Sequence, residues 1–143
     1  MTEKLVDING TTVSITGEGR PVVLVHGVFM DRRMWFPQVE VLSRDYTVCC
    51  MDMLGHGYAP DPDGELTLSD FVEQLHEVIQ HFGSDKPVLG GFSMGGLVAQ
   101  AYAIKNHSHL SGLMLMNTVY DRSESEVAVV TQRYEGMTVG GID

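Results

Sequence analysis

The stretch KPVLGGFSMGGLVAQAYA, residues 86–103, decides how this chain reads. Its first half is short and apolar, as a strand covered on both faces is, and its second half is rich in glycine and alanine and suits a helix. Between them stands Ser93, with Gly91 two places before it and Gly95 two places after. A serine held at a sharp strand-to-helix turn takes up a strained backbone conformation that presents its hydroxyl outward. Side chains at 91 and 95 would collide with neighbouring backbone. That is the physical reason for a Gly-x-Ser-x-Gly pattern, and it makes Ser93 the candidate catalytic nucleophile.

The helix starting near Met94 points its positive end at the same place, where the Met94 N–H would donate to a developing oxyanion. A second donor is expected from HGVF, residues 26–29, which follows another apolar run. The N–H of Val28, with Gly27 and Phe29 beside it, completes the expected oxyanion and substrate-binding set. Competing glycine-rich readings fail: a dinucleotide pattern needs glycine where Ser93 stands, and a phosphate loop needs Lys-Ser or Lys-Thr where the chain has Leu97-Val98. The plain alternative is that Ser93 only fills a tight turn.

Outward from this centre, VVLVHG, YTVCCMD and LSGLMLMN read, like PVLGGF, as buried parallel strands, and residues 3–8 and 11–16 as a hairpin about Asn9-Gly10. Residues 68–82 carry apolar side chains at helical spacing, with Thr67 as cap and Gly83 as stop, and shorter helices are expected over 34–43 and 95–106. Alternation of strands and helices predicts an α/β domain, a mostly parallel sheet of about six strands with an amino-terminal hairpin and helices on both faces. From Asp121 the pattern becomes polar, with a helix expected over 123–135, so residues 1–120 read as core and 121–143 as the start of another segment.

Net charge is −10 and the cations are scattered, which argues against nucleic acid as a partner. No apolar stretch has the length of a membrane span and the amino terminus lacks signal-peptide character, so a cytoplasmic protein is expected. Cys49 and Cys50, adjacent in an apolar run, read as buried thiols. No disulfide framework, metal site or cofactor is expected.

VVLVHGVFMDRRMW, VCCMDMLGHG and LGGFSMGGLVAQAYA, in this order, resemble the amino-terminal half of the α/β-hydrolase superfamily, in particular its small bacterial esterase and lactonase-like branch. The resemblance covers nearly the whole chain. It implies an eight-stranded sheet of which about six strands are here, a Ser-Asp-His triad, an oxyanion hole at Val28 and Met94, a small-molecule acyl substrate, and a lid beginning at 121. Serine at position 93 disfavours dehalogenase or epoxide-hydrolase chemistry, whose proteins carry aspartate there. Ala59 departs from the serine many relatives have after Gly55-His56-Gly57.

In that superfamily the acid and the histidine follow the serine. The only histidines after Ser93 are His107 and His109, beyond a helix that carries them about 20 Å from it. His26 is expected to fix the loop that follows it, His56 is a similar case, and His76 and His81 read as ordinary surface residues. Asp121 is a candidate acid, without a histidine to orient. The triad partners are therefore expected outside this sequence, and the chain alone to be inactive, an incomplete or truncated hydrolase. The alternative is a non-catalytic binding or assembly module that keeps the pocket. Phe29, Met30, Trp35 and Met94 are candidates for an apolar acyl pocket, but such side chains near a strand end are at least as often core, Trp35 at a helix start above all; Val127, Val129 and Val130 read as packing. The resemblance leaves the strand from Leu113 to Asn117 with a bare edge, predicting self-association or a complementing chain there.

Overall fold

The computed structural model describes residues 2–119 and 121–140. β1 (Lys4–Ile8) and β2 (Thr11–Thr16) form the hairpin, turning at Asn9 (φ 50°) and Gly10 (φ 86°), where the Gly10 N–H donates to Asp7 Oδ1 at 3.0 Å. β3 (Arg20–Val25), β4 (Tyr46–Met51), β5 (Val88–Phe92) and β6 (Gly112–Met116) run parallel, and the sheet order is β1-β2-β4-β3-β5-β6. β2 joins the parallel part antiparallel to β4, with Ser14 opposite Cys50.

Alternation along the strands splits the core in two. Val23, Val25, Cys49, Met51 and Leu89 face α2 (Leu68–Gln80) and α3 (Met94–Asn106), while Val22, Leu24, Val48 and Cys50 face α1 (Phe36–Leu42) and Trp35. Burial raises the thiol pKa of both cysteines, that of Cys50 to about 12, so both are protonated and packed as small hydrophobes.

The helix expected over 34–43 divides into a 3₁₀ turn at Arg32–Trp35 and α1. Pro37 has no N–H to donate and is accommodated only in a first turn, so the α-helix begins just before it. Asp31 caps the 3₁₀ turn, its Oδ1 accepting from Arg33 N–H at 2.8 Å. α2 starts at the expected Thr67, whose N–H and hydroxyl both donate to the Asp70 carboxylate at 2.7 Å, and gives way to turns at His81 before Gly83 (φ 59°).

The last helix, α4 (Glu124–Gly140), runs past the expected end at 135. A glycine within a helix costs only about 1 kcal/mol, so Gly136 alone does not stop it. Val127, Val129 and Val130 are exposed on α4, against the expectation that they pack. β6 is the sheet's last strand among the described residues: Leu113, Met114 and Leu115 are 41, 39 and 44 % exposed, so both of its faces are only partly covered and its outer edge is unpaired.

Candidate functional site

β5 ends at Phe92 and α3 begins at Met94, leaving Ser93 as the only residue between them. Its φ of 51° and ψ of −115° lie outside the comfortable regions for a side-chain-bearing residue. The neighbours explain why the turn can be so tight. A Cβ on Gly91 would strike the Gly95 carbonyl and stand 2.8 Å from Gly96 Cα, and one on Gly95 would strike the carbonyls of Val25 and His26. The two glycines thus let α3 press against β5 and against the end of β3.

Ser93 is held on both sides by main-chain contacts. Its N–H donates to Met116 O at 3.0 Å, while its carbonyl accepts from the N–H groups of Gly96 (3.0 Å) and Leu97 (3.3 Å) and from the Thr118 hydroxyl (2.8 Å). The Ser93 side chain is half-buried, and among the described residues its hydroxyl has no hydrogen-bond partner.

The loop after β3 lies alongside. A Cβ on Gly27 would stand 3.4 Å from Ser93 Cβ, so the chain carrying Val28 passes directly beside the serine. Phe29 adopts φ 61° and is 68 % exposed, Val28 and Met30 are exposed as well, and Met30 N–H donates to Gly27 O at 3.3 Å. Met94 N–H, at the first position of α3, has no intrahelical acceptor. Val28 N–H is likewise uncommitted among the described residues.

His26 is fully buried and ties two strand ends together. Its Nε2 accepts from Met53 N–H at 3.0 Å, which places the ring proton on Nδ1, 2.7 Å from Gly27 O. Burial lowers its pKa, outweighing the upward effect of the Gly27 carbonyl, so the ring is a neutral brace. His56 stacks edge-on at 5.2 Å, and its Nδ1–H donates to Leu54 O at 2.9 Å. Neither imidazole hydrogen-bonds Ser93.

Below the loop sits a pair that sequence reasoning missed. Asp52, fully buried, accepts from Arg32 Nη1 (2.6 Å), Arg32 N–H (2.8 Å) and Tyr58 N–H (2.9 Å). The Tyr58 ring covers the guanidinium at 4.7 Å, and the close approach of the chain at Gly57 (φ 57°) leaves a Cβ there no room against the Asp52 carboxylate. One carboxylate therefore fastens the 26–32 loop to the Gly55-His56-Gly57 turn. Ala59 closes that turn, donating to His56 O at 3.0 Å.

Other expected site residues fall elsewhere. Of its two readings Trp35 takes the core one: it is 2 % exposed, because the 3₁₀ turn drives its ring under α1. Met94 packs toward the α2/α3 core, and Phe29 and Met30 remain in the loop beside Ser93. His107 and His109 follow the 13-residue α3, whose far end is about 20 Å from its start. His76 is no ordinary surface residue: its Nδ1 and that of His109 lie 3.3 and 3.2 Å from the buried Tyr102 hydroxyl. His81 and Asp121 are exposed. A groove of about 630 Å³ between α1 and β2, lined by Ser14, Thr16, Phe36 and Val39 among others, contains none of the candidate site residues. No group of three or more His, Cys, Asp or Glu among the described residues could hold a metal ion, and none of the described helices is long and apolar enough to cross a membrane.

A doubly covered parallel sheet with a serine strained between strand and helix, beside a His-Gly loop, defines the hydrolase-type α/β class. The chain belongs to the alpha/beta hydrolase fold family, whose model matches residues 20–138. It is 35 % identical over 127 residues to the (E)-2-((N-methylformamido)methylene)succinate hydrolase of Acinetobacter baylyi, covering 89 % of this chain and 48 % of that protein. It is 37 % identical over 98 residues to the pimeloyl-[acyl-carrier protein] methyl ester esterase of Aliivibrio salmonicida, covering 68 % of this chain and 36 % of that one. The malate-bound thermophilic esterase of Thermogutta terrifontis superposes with a TM-score of 0.78 at 32 % identity, over 96 % of this chain and 53 % of that one. The chain thus spans between about a third and a half of the length of these relatives, and the six strands are a partial form of the fold.

Proposed function

We propose that these residues are the nucleophile and oxyanion half of a serine hydrolase acting on carboxylic esters, lactones or thioesters. The observation that carries this reading is Ser93 itself, a non-glycine residue at φ 51° between β5 and α3 with an uncommitted hydroxyl. Ser93 Oγ attacks the substrate carbonyl, its proton passes to a base, and the carbonyl oxygen becomes an oxyanion accepting from Val28 N–H and Met94 N–H. Collapse expels the alcohol or thiol, which takes the proton back, and water then cleaves the acyl-enzyme. Gly27 permits the close approach of the donor loop, and Phe29 offers an apolar contact for the acyl chain. Esterase and hydrolase relatives support ester chemistry.

The base and its acid partner come from outside these 143 residues, either further along one polypeptide or from another chain. Residues from 121 onward open the lid, and the bare edge of β6, Leu113 to Asn117, receives the next strand or a second chain. The two free, buried cysteines, Cys49 and Cys50, support a reducing compartment such as the cytoplasm.

Imidazole in solution can stand in for the missing base. The 143-residue chain is mixed with p-nitrophenyl acetate and imidazole, and peptide mapping locates the acetyl group. Acetylation of Ser93, lost in Ser93→Ala, is expected, with little turnover when imidazole is omitted. Robust turnover without imidazole that survives Ser93→Ala, or no adduct on Ser93, overturns the reading. The second outcome would favour a non-catalytic binding module.

A further inference from the structure

A strained residue persists only where its surroundings over-determine it. The N–H of Ser93 is fixed by Met116 O and two of the donors to its carbonyl belong to α3 itself, but the third, Thr118 Oγ1, comes from outside the elbow. Thr118 is placed by a second unusual residue: Asn117 leaves β6 at φ 45°, a conformation asparagine tolerates better than most, and this bend swings Thr118 back over α3. There it fills the space left by Gly96, where a Cβ would stand 2.5 Å from Thr118 Cβ and 2.7 Å from its Oγ1. One residue further, Gln100 Nε2 donates both to Gly96 O (3.3 Å) and to Val119 O (3.2 Å), so the segment after β6 is latched to two successive turns of α3.

From these contacts we infer that Thr118 is a positioning residue for Ser93, its hydroxyl holding the serine carbonyl so that the side chain stays in its outward conformation. The inference rests on the nucleophilic role proposed for Ser93. Thr118 touches no substrate; it acts through the serine backbone. It also makes the elbow answerable to the segment that leads into α4, since Thr118 and Val119 lie six and five residues before that helix starts.

Thr118→Ala removes the hydroxyl, Thr118→Val replaces it by a methyl, and Thr118→Ser keeps it. Each purified chain is tested for folding by circular dichroism, then reacted with a fluorophosphonate in the presence of imidazole, and the rate of Ser93 modification is normalised to folded protein. The Ala and Val variants should label about five- to tenfold more slowly, the effect of one hydrogen bond on the population of a strained conformer, and Ser should match the parent. Labelling of Thr118→Ala at the parental rate overturns the inference, as does Thr118→Ser behaving like Thr118→Ala, which would assign the effect to packing. Amide hydrogen exchange supplies a readout independent of chemistry. Gly96 N–H and Leu97 N–H, which share the Ser93 carbonyl, should lose protection by a similar factor in Thr118→Ala and retain it in Thr118→Ser. If parental Ser93 fails to label, the hydrolase reading falls while the exchange pattern still decides the latch. Unchanged exchange in Thr118→Ala refutes it.

Discussion

Replacing Asp52 by alanine tests how the site loops are held. The carboxylate is fully buried and accepts three hydrogen bonds, two from Arg32 and one from the Tyr58 N–H. Its removal strands a guanidinium only 6 % exposed, with the Tyr58 ring over it, and leaves two backbone N–H groups without acceptors. Breaking a buried pair from one side costs ~3–5 kcal/mol, mostly through the charge left behind. For a chain of this size each kcal/mol moves the melting temperature by roughly 3–4 °C, so a fall of about 10–20 °C is expected. Urea unfolding followed by circular dichroism supplies the free energy. The companion variant Arg32→Met with Asp52→Leu removes both charges and should recover more than half of the loss, the remainder reflecting the orphaned amides. A change below about 1 kcal/mol in Asp52→Ala, or a double variant no better than the single one, would refute the reasoning.

The lowered pKa of His26 gives a signed expectation for pH. The unfolded ring takes a proton near pH 6.5 and the folded ring does not until lower pH, so this residue's contribution is complete above about 6.5 and is lost as pH falls toward the folded value. Urea titrations of the parent and His26→Gln across pH 5–8 should show a shallower slope in the variant, and equal slopes would count against it. Gly95→Ala pushes a methyl group into the Val25 and His26 carbonyls and should cost ~2–4 kcal/mol by chemical denaturation, while Ala103→Gly, later on α3, should cost about 1. Ser93→Gly relieves the positive φ and should raise stability by about 1 kcal/mol while abolishing acylation; a loss of stability would show that the elbow is unstrained. The proposed self-association through β6 predicts that Leu115→Lys is more monomeric than the parent in analytical ultracentrifugation, and an unchanged distribution would refute that proposal.

What the chain discloses in one dimension follows the range of the forces involved. The elbow is legible because Gly91, Ser93 and Gly95 act on one another across a single turn, and the α2 cap is legible because Thr67 and Asp70 are three residues apart. The buried Arg32–Asp52 pair is not, since charged residues are ordinarily exposed and nothing local marks these two, 20 residues apart, as partners. Trp35 reads as core more readily than as pocket, but only the 3₁₀ turn shows which helix covers it. Likewise His76 and His109 sit at polar positions of their own segments and acquire a role only when α2 and the end of α3 converge on Tyr102. The valines of α4 mislead in the opposite direction, because apolar character does not say whether a surface exists to receive it.

The uncovered margin of β6 also works as a ruler. Met116 lies level with Phe92 and its carbonyl grips the Ser93 amide, so the height of the serine is written into the strand's main chain. Any polypeptide that adds to this margin in parallel must take its spacing from the amides and carbonyls of Leu113 and Leu115, in steps of two residues. Whatever side chain emerges at its upper end is then delivered to the serine's own level, by pairing geometry alone.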